Sequence, residues 1–230
     1  MSIINVTNLT FAYDGSYDNI FENVSFQIDT DWKLGFTGRN GRGKTTFLNL
    51  LLKKYEYSGT ISSSVPFEYF PYEVTDKEQL TTDVISSVYY DFQQWQLMRE
   101  LNLLQVSEDV LYRPFNTLSN GEQTKVLLAA LFLKENNFLL IDEPTNHLDI
   151  THQIMLMKLV KNLDVTVISA IHDLNIAAAY CDRIYVLKDG VLEGEGTPGE
   201  VLTPELIRRI YKVESEVVYD SQGKMHILFL

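Results

Sequence analysis

An eight-residue stretch with three glycines, GRNGRGKT at positions 38–45, constrains the fold of this chain more than any other feature. The residues that lead into it, WKLGFTG, are mostly apolar and predict a buried strand. The residues that follow, KTTFLNLLLKKY, are apolar at helical spacing and predict a helix. A strand, a glycine-rich loop and a helix in this order indicate one repeating unit of an α/β protein.

The spacing of this loop, Gly-x-x-x-x-Gly-Lys-Thr, predicts a phosphate-binding loop. Its glycines allow backbone N–H groups to converge on an anion, and the positive end of the following helix points to the same place. Lys44 would neutralise the β- and γ-phosphates as a catalytic residue, and Thr45 would ligate Mg²⁺. A glycine turn that merely contains a lysine is disfavoured by the strand before it and the helix after it. The predicted nucleotide-binding residues of the loop are Gly38, Arg39, Asn40, Gly41, Arg42, Gly43, Lys44, Thr45 and Thr46.

A second apolar run, FLLID at 138–142, ends in two adjacent acids, Asp142 and Glu143. A carboxylate at the C-terminal end of a strand lies at the edge of an α/β sheet where ligands bind. We therefore predict that Asp142 holds Mg²⁺ through water, and that Glu143 orients or deprotonates an attacking water molecule. The alternative, an acid pair at a helix N-terminus, is disfavoured because the same chain carries a phosphate-binding loop pattern.

Three further residues are candidates by position. Ser119 opens a predicted helix, and its neighbouring amides can form an anion site, although a plain helix cap is the simpler interpretation of this residue alone. His172 follows the apolar strand VTVISAI and can reach a γ-phosphate, whereas a core histidine is the ordinary alternative. Tyr13 precedes a turn after the first strand, where it can stack on a base or simply pack.

The remaining pattern predicts the fold class. Helical and buried-strand patterns alternate, which indicates a mostly parallel α/β sheet, and the antiparallel strands near the N-terminus predict a side sheet. A long helical pattern is interrupted at Arg113–Pro114 and predicts a separate lobe. We thus predict a single nucleotide-binding domain over residues 1–230, with a core and β subdomain at about 1–76 and 135–230, and a helical subdomain at about 77–134.

Composition excludes several other classes. No apolar run approaches the roughly 18 residues of a membrane span. The N-terminus lacks the basic flank and apolar core of a signal peptide. One cysteine, Cys181, fits a reducing compartment and a buried helical position. The net charge of −12 argues against direct binding of nucleic acid. These features predict a cytoplasmic protein, peripheral to the membrane if it binds a permease.

Taken together, the motifs resemble the ATP-binding cassette (ABC) family over nearly the whole chain. The resemblance implies ATP and Mg²⁺ as cofactors, a P-loop core, a Tyr13 side chain stacked on adenine, and His172 as the switch histidine. It also implies head-to-tail closure of two cassettes, so that this chain needs a second copy or a paired cassette. The implied signature motif, which acts across the dimer, is Leu118, Ser119, Asn120, Gly121, Glu122 and Gln123. The implied D-loop is Asn146, His147, Leu148 and Asp149.

Two departures from the family pattern stand out. In the signature, Asn120 replaces a glycine and Glu122 adds an acid; we expect function to survive, because asparagine tolerates unusual backbone angles better than most residues. In the segment Phe70-Pro71-Tyr72, a tyrosine stands where the family places the Q-loop glutamine. Tyr72 is a poor replacement as a ligand of Mg²⁺ or of its water.

The resemblance changes along the chain. Residues 1–149, with LSNGEQTKVLLAALFLKENNFLLIDEPTNHLD, resemble the first cassette of ABC-F proteins, the ribosome-protection class linked to antibiotic resistance. Residues 150–230, with AIHDLNIAAAYCDRIYVLKDGVLEGEGTPGEVLTPELIRRIYKV, resemble ATPase subunits of iron-siderophore and cobalamin importers. A natural hybrid, an engineered one, a misassembled one and a lineage that only looks mixed all remain open.

Two biological roles compete. The favoured one is the ATP-binding subunit of a membrane importer, with a permease as partner. The alternative is an ABC-F-like factor that binds the ribosome, which the helical lobe would favour. A hybrid ATPase with no coupled partner is the third possibility, and the transported substrate is not encoded in this chain.

Overall fold

The structure, a computed structural model, describes residues 3–30, 32–39, 41, 43–134, 137–143, 149–163 and 165–230. Its strands are β1 (Ile3–Phe11), β2 (Phe21–Asp29), β3 (Lys33–Thr37), β4 (Ser58–Ser62), β5 (Phe67–Phe70), β6 (Phe138–Asp142), β7 (Val167–Ala170), β8 (Arg183–Lys188), β9 (Val191–Gly196), β10 (Ser215–Tyr219) and β11 (Met225–Phe229). Its α-helices are α1 (Lys44–Leu51), α2 (Thr81–Val88), α3 (Gln94–Leu103), α4 (Asn120–Phe132), α5 (Ile150–Lys161), α6 (Leu174–Tyr180), α7 (Pro198–Val201) and α8 (Pro204–Tyr211). Two 3₁₀ turns, Glu108–Tyr112 and Phe115–Thr117, connect α3 to α4.

The main sheet has six strands in the order β5-β6-β7-β3-β8-β9. All neighbouring pairs are parallel except β8 and β9, which form a hairpin. Both turn residues of this hairpin, Asp189 and Gly190, have positive φ, as expected for a tight Asp-Gly turn. The strands β2, β1 and β4 form a separate antiparallel sheet, and β10 pairs with β11. The predicted fold class, a mostly parallel α/β sheet with an antiparallel side sheet, is confirmed.

The main sheet is covered on both faces. Along β6, Phe138 and Leu140 point into a cluster shared with α1 and the antiparallel sheet, whereas Leu139 and Ile141 point into a cluster shared with α2, α3, α4 and α5. A strand buried on both faces reads as a continuous apolar run, which is why FLLID lacks alternation. The first cluster contains closely packed rings, with 4.6 Å between the ring centres of Phe36 and Phe47.

Two local expectations need correction. The helix after the glycine-rich loop ends at Leu51, earlier than its apolar pattern suggested. Cys181 is buried but follows the last residue of α6, and its sulphur lies over Gly35. Burial raises the pKa of this thiol to about 12, which keeps it protonated.

None of the helices in the described part of the chain is both long and apolar enough to cross a membrane.

Candidate active site

Parallel pairing brings the predicted site residues to one edge of the main sheet. The glycine-rich loop follows β3, Asp142 ends β6, and His172 lies two residues beyond β7. The sheet order β6-β7-β3 makes these strands neighbours, and all three run in the same direction. Their carboxyl ends therefore form one crevice, as the sequence predicted.

The loop glycines meet two different demands. Gly38, Gly41 and Gly43 all have positive φ, at 142°, 72° and 98°. A Cβ on Gly38 would lie 2.4 Å from the carbonyl oxygen of Leu187, so crowding also excludes a side chain there. A Cβ on Gly41 would meet no described residue within 4 Å, so within this part of the structure the requirement for glycine is conformational. Gly43 caps α1 and starts the helix directly at Lys44.

The amine of Lys44 is folded back on its own loop. It donates hydrogen bonds to the carbonyl oxygens of Gly38 at 2.8 Å and Arg39 at 3.2 Å. Burial lowers the pKa of Lys44, and the charges of Glu143 and Asp142 oppose that shift. The hydrogen-bond partners of Lys44 among the described residues are carbonyl oxygens, and an anion of full charge would bind a buried ammonium group more strongly. A phosphate in the loop would supply one.

Asp142 is held by two hydroxyl groups on opposite oxygens. Thr45 donates to Oδ1 at 3.1 Å, and Tyr69 donates to Oδ2 at 3.0 Å. Burial raises the pKa of Asp142, while the bonds from Thr45 and Tyr69 lower it. Burial and the neighbouring acid raise the pKa of the Tyr69 hydroxyl, which stays a donor. The sequence analysis assigned Thr45 and Asp142 to the same predicted Mg²⁺ site and did not include Tyr69.

Glu143 has a left-handed backbone, with φ of +50°. A left-handed backbone at a residue other than glycine costs about 1–3 kcal/mol and is concentrated at functional sites. Its carboxylate oxygen Oε1 contacts Nε2 of His172 in a short hydrogen bond. Both side chains are about one-third exposed, at 37% for Glu143 and 33% for His172, so water and nucleotide can reach them.

Tyr13 lies beside the first turn of α1. Its hydroxyl is 2.8 Å from the hydroxyl of Thr46, and its ring packs edge-on against Phe11 and Tyr55. The side chain is 40% exposed. It is thus anchored near the phosphate loop with part of its surface free, and the prediction that it stacks on adenine stays a prediction.

The N-terminus of α4 is occupied by a carboxylate of its own helix. Oε2 of Glu122 accepts hydrogen bonds from the backbone N–H and the hydroxyl of Ser119, both at 2.8 Å, and the Ser119 hydroxyl accepts from the N–H of Glu122. This is a capping box. The bonds from Ser119 lower the pKa of Glu122, so the carboxylate is charged at neutral pH.

The backbone argument for Asn120 is wrong, because Asn120 and Gly121 are ordinary helical residues of α4. Neither needs an unusual φ. A Cβ on Gly121 would meet no atom within 4 Å in the described part of the chain. Neither conformation nor crowding within these residues explains a glycine at this position. Of the other signature residues, Leu118 is buried in the helical cluster, and Gln123 donates to the carbonyl oxygen of Leu118 at 3.0 Å.

Tyr72 does not contact the acids at the strand ends. Its ring packs on the helical cluster and lies 5.2 Å from the amine of Lys134, which pairs with Glu68 at 2.7 Å. Burial and Glu68 raise the pKa of the Tyr72 hydroxyl. The Tyr72 side chain lines a cleft of about 660 Å³ between the end of β5 and α4, and Asp142 and Glu143 line the same cleft.

Some predicted residues lie outside the described residues, namely Asn40 and Arg42 of the loop and Asn146, His147 and Leu148 of the D-loop. Asp149 is described, and it caps α5 by accepting from the N–H of His152 at 3.0 Å. Its second oxygen contacts Nδ1 of the same histidine at 2.7 Å.

Comparison with known proteins agrees with this geometry. Residues 21–146, more than half of the chain, match the family described as ABC transporter. The chain belongs to the ABC transporter family. It is an ATP-binding and ATP-hydrolysing protein of that family, as the motifs predicted.

Relatives of this ABC protein extend over nearly its full length. An uncharacterized ABC transporter ATP-binding protein of Methanocaldococcus jannaschii is 29% identical, with 94% of each chain covered. A hemin import ATP-binding protein of Rhodopseudomonas palustris is also 29% identical, with 91% of each covered. A petrobactin import ATP-binding protein of Bacillus anthracis is 42% identical over 115 residues, 48% of this chain and 42% of its own.

Solved structures share the fold of this ABC protein. A putative metal-chelate type ABC transporter in an inward-facing conformation gives a TM-score of 0.84 at 22% identity, covering 100% of this chain and 97% of the other. A dimeric cassette bound to ADP and phosphate gives a TM-score of 0.73 at 21% identity, covering 85% and 98%. At these identities the likeness speaks for the fold alone.

Proposed function

We propose that this chain is the ATP-binding subunit of an importer and hydrolyses Mg-ATP in a closed pair of cassettes on a permease. The observation that carries the chemistry is the edge where Lys44, Thr45, Asp142, Glu143 and His172 meet. The importer role is supported by relatives named for hemin import, petrobactin import and siderophore transport, two of them aligned over more than nine-tenths of this chain. The same role implies a cytoplasmic protein at the inner face of the membrane.

The residues at this edge fit a magnesium ion. Mg²⁺ prefers oxygen ligands and takes few of them from protein when nucleotide phosphates supply the rest. The Thr45 hydroxyl and Asp142 Oδ1 are such oxygens, 3.1 Å apart at the mouth of the loop. When bound, the ion would neutralise charge on the phosphates. Lys44 would exchange its carbonyl partners for phosphate oxygens, and Tyr13 would face the base.

Glu143 and His172 would act on the attacking water. The Glu143 carboxylate contacts His172, whereas that of Asp142 accepts from Thr45 and Tyr69, so the two acids face different groups. In this arrangement Glu143 accepts the proton or orients the water, and His172 holds Glu143 or the γ-phosphate. Two carboxylates with different partners can serve as metal ligand and base side by side.

Closure of two cassettes is supported by the start of α4. Ser119 and Asn120 are exposed, and no described residue lies within 4 Å of a Cβ placed on Gly121, so this part of the structure leaves room for a second molecule at the helix end. The helix N-terminus attracts anions. In the proposed pair, this end would cover the nucleotide of the second copy or a paired cassette, and Asp149 with residues 146–148 would lie at the junction.

Glu122 should oppose this closure. Its carboxylate already satisfies Ser119. In the Glu143→Gln background, Glu122→Gln should lower the ATP concentration needed for dimerisation about two- to fivefold, because a charge at a helix end contributes ~0.3–1 kcal/mol. Gel filtration across an ATP series measures this midpoint. An unchanged or higher midpoint would mean that the carboxylate does not compete with nucleotide.

The same substitution has a pH signature. Because the folded-state pKa of Glu122 is lowered, its contribution to stability is present above the unfolded-state pKa and lost as pH falls through the folded-state pKa. Thermal melts of Glu122→Gln should therefore lose part of the acid-side decline in stability.

The finer divisions of the chain remain hypotheses. We propose residues 77–134 as a helical subdomain between core segments 1–76 and 135–230. Similarity of residues 1–149 to ABC-F proteins, and of 150–230 to importer subunits, is likewise a hypothesis drawn from the sequence. The alternative role at the ribosome depends on the first of these likenesses.

The direct test of the biological role is fractionation of cells that express the tagged Glu143→Gln chain with ATP present. The importer role predicts that the protein sediments with membranes through a permease and is released by detergent. Ribosome pelleting through sucrose at low salt, with no membrane fraction, would replace it by the ABC-F-like role. Recovery in neither fraction would favour the hybrid ATPase without a partner.

A further inference from the structure

Among the described residues, Tyr69 contacts a proposed metal-binding residue although it belongs to no motif identified from the sequence. It lies on β5 and is half-buried, and its hydroxyl donates to Oδ2 of Asp142 at 3.0 Å. We propose that Tyr69 is a positioning residue that fixes Asp142 for metal binding, a role that rests on the proposed function of the site.

The contact follows from strand register. β5 pairs in parallel with β6 so that Tyr69 lies beside Leu140. Side chains on a strand alternate between faces, so Asp142 points to the same face as Leu140. The two residues are separated by two positions, roughly 7 Å along a strand, which a tyrosine side chain can span. The hydroxyl therefore reaches Asp142 from its neighbouring strand.

The ring of Tyr69 is itself fixed. It packs against the cluster between the two sheets, and the amine of Lys54 lies 4.8 Å from the ring centre. A donor on a fixed ring restricts the carboxylate in a way that a donor on a mobile side chain cannot. With Oδ2 held by Tyr69, Oδ1 remains on the Thr45 side and faces the phosphate loop. Tyr69 thus selects which oxygen of Asp142 is presented to the metal.

Tyr72 provides the contrast. The family pattern aligns Tyr72 with a residue expected near the metal, but its ring packs on the helical cluster beside Lys134. The side chain that contacts Asp142 is that of Tyr69, three positions before Tyr72. Tyr69 thereby connects the β5 end, which leads into the cleft beside α4, to the metal-binding acid.

The test measures metal affinity rather than turnover. In the Glu143→Gln background, ATP is bound in EDTA, free nucleotide and EDTA are both removed, and Mn²⁺ is titrated while free Mn²⁺ is followed by electron paramagnetic resonance. Tyr69→Phe removes one oxygen and keeps the ring. We expect about 10–100-fold weaker Mn²⁺ binding, the usual effect of losing a partner of a metal ligand. ATP retention in EDTA should be unchanged.

Tyr72→Phe is the matched control, since it removes the same atom from the same segment. It should leave Mn²⁺ affinity within about twofold, because its hydroxyl does not contact Asp142. Asp142→Asn should weaken Mn²⁺ more than Tyr69→Phe does. Parental Mn²⁺ affinity in Tyr69→Phe, with a loss in Asp142→Asn, would overturn the role of Tyr69 and leave the proposed function standing.

Two other outcomes are equally decisive. Unchanged Mn²⁺ affinity in Asp142→Asn would remove the metal site from the proposed function. Loss of ATP retention in EDTA by Tyr69→Phe would show that Tyr69 supports the phosphate loop or the fold generally, and the positioning role would be wrong.

Discussion

Glu143→Gln should bind ATP as the parent chain does and turn it over about 10²–10⁴-fold more slowly. Glutamine has nearly the shape of glutamate but cannot accept a proton at neutral pH, and loss of a general base has an effect of this size. The phosphate loop, Thr45 and Asp142 are untouched. Bound nucleotide should therefore accumulate, and an ATP-dependent dimer should persist on gel filtration.

Glu200→Gln is a matched control for that change. The Glu200 carboxylate accepts from the N–H and hydroxyl of Thr197 at the start of α7, an element that carries none of the predicted site residues, so the same atom exchange should leave turnover within about twofold. Single-turnover phosphate release with radiolabelled ATP separates chemistry from binding. Parental hydrolysis by Glu143→Gln would transfer the role of base to another group.

His172 makes the Glu143 prediction sharper. Because Nε2 of His172 contacts the Glu143 carboxylate, removing the imidazole should leave the base present but misoriented. His172→Ala should thus retain ATP binding and lose turnover. The double variant with Glu143→Gln should turn ATP over only slightly more slowly than Glu143→Gln alone. Residues that act as one unit show such non-additive losses. Steady-state ATPase assays of the single and double variants measure this; fully multiplicative losses would mean that the two residues act independently.

Sequence patterns located most of the site because it is built from strand ends. Asp142 and His172 close apolar runs, and the glycine loop follows another, so parallel pairing alone brings them together. The fold class followed from the same alternation of strand and helix. What the sequence analysis used, therefore, was local pattern plus one rule of topology.

The missed contacts have different causes. The bond between Tyr69 and Asp142 joins residues 73 positions apart and depends on β5 lying next to β6 in register, which no local pattern specifies. The contact between Glu122 and Ser119 could have been predicted from the sequence, because Ser119-x-x-Glu122 is a capping-box pattern. The position of Tyr72 in a family motif predicted a place near the metal, but its side chain packs against the apolar cluster of α2, α3, α4 and α5.

Lys44→Ala and Ser119→Arg should separate the two halves of the proposed composite site. Lys44→Ala removes the charge that faces the phosphates, and a hydrogen bond to a charged group contributes about 1.5–3 kcal/mol, so the monomer should bind ATP about 10–100-fold more weakly. Ser119→Arg adds bulk at an exposed helix start on another element, so monomer affinity should stay within about twofold while the ATP-dependent dimer is lost. Fluorescent-nucleotide titration at low protein concentration gives the first quantity, and gel filtration in the Glu143→Gln background gives the second.

Two controls test whether charge or bulk alone explains these effects. Lys158→Ala removes an exposed lysine from the last turn of α5, and Ser107→Arg adds an arginine at an exposed position before a 3₁₀ turn where the serine caps nothing. Neither should change ATP affinity or dimerisation. If Ser119→Arg lost monomer affinity as severely as Lys44→Ala, the start of α4 would belong to the nucleotide site of its own chain. If it bound ATP and still dimerised like the Ser107→Arg control, the start of α4 would lie outside the closed interface. A helix end that completes the nucleotide site of a partner predicts that Ser119→Arg loses the dimer and keeps its affinity for ATP. The substitution would then block closure while the phosphate loop of the same chain still binds ATP.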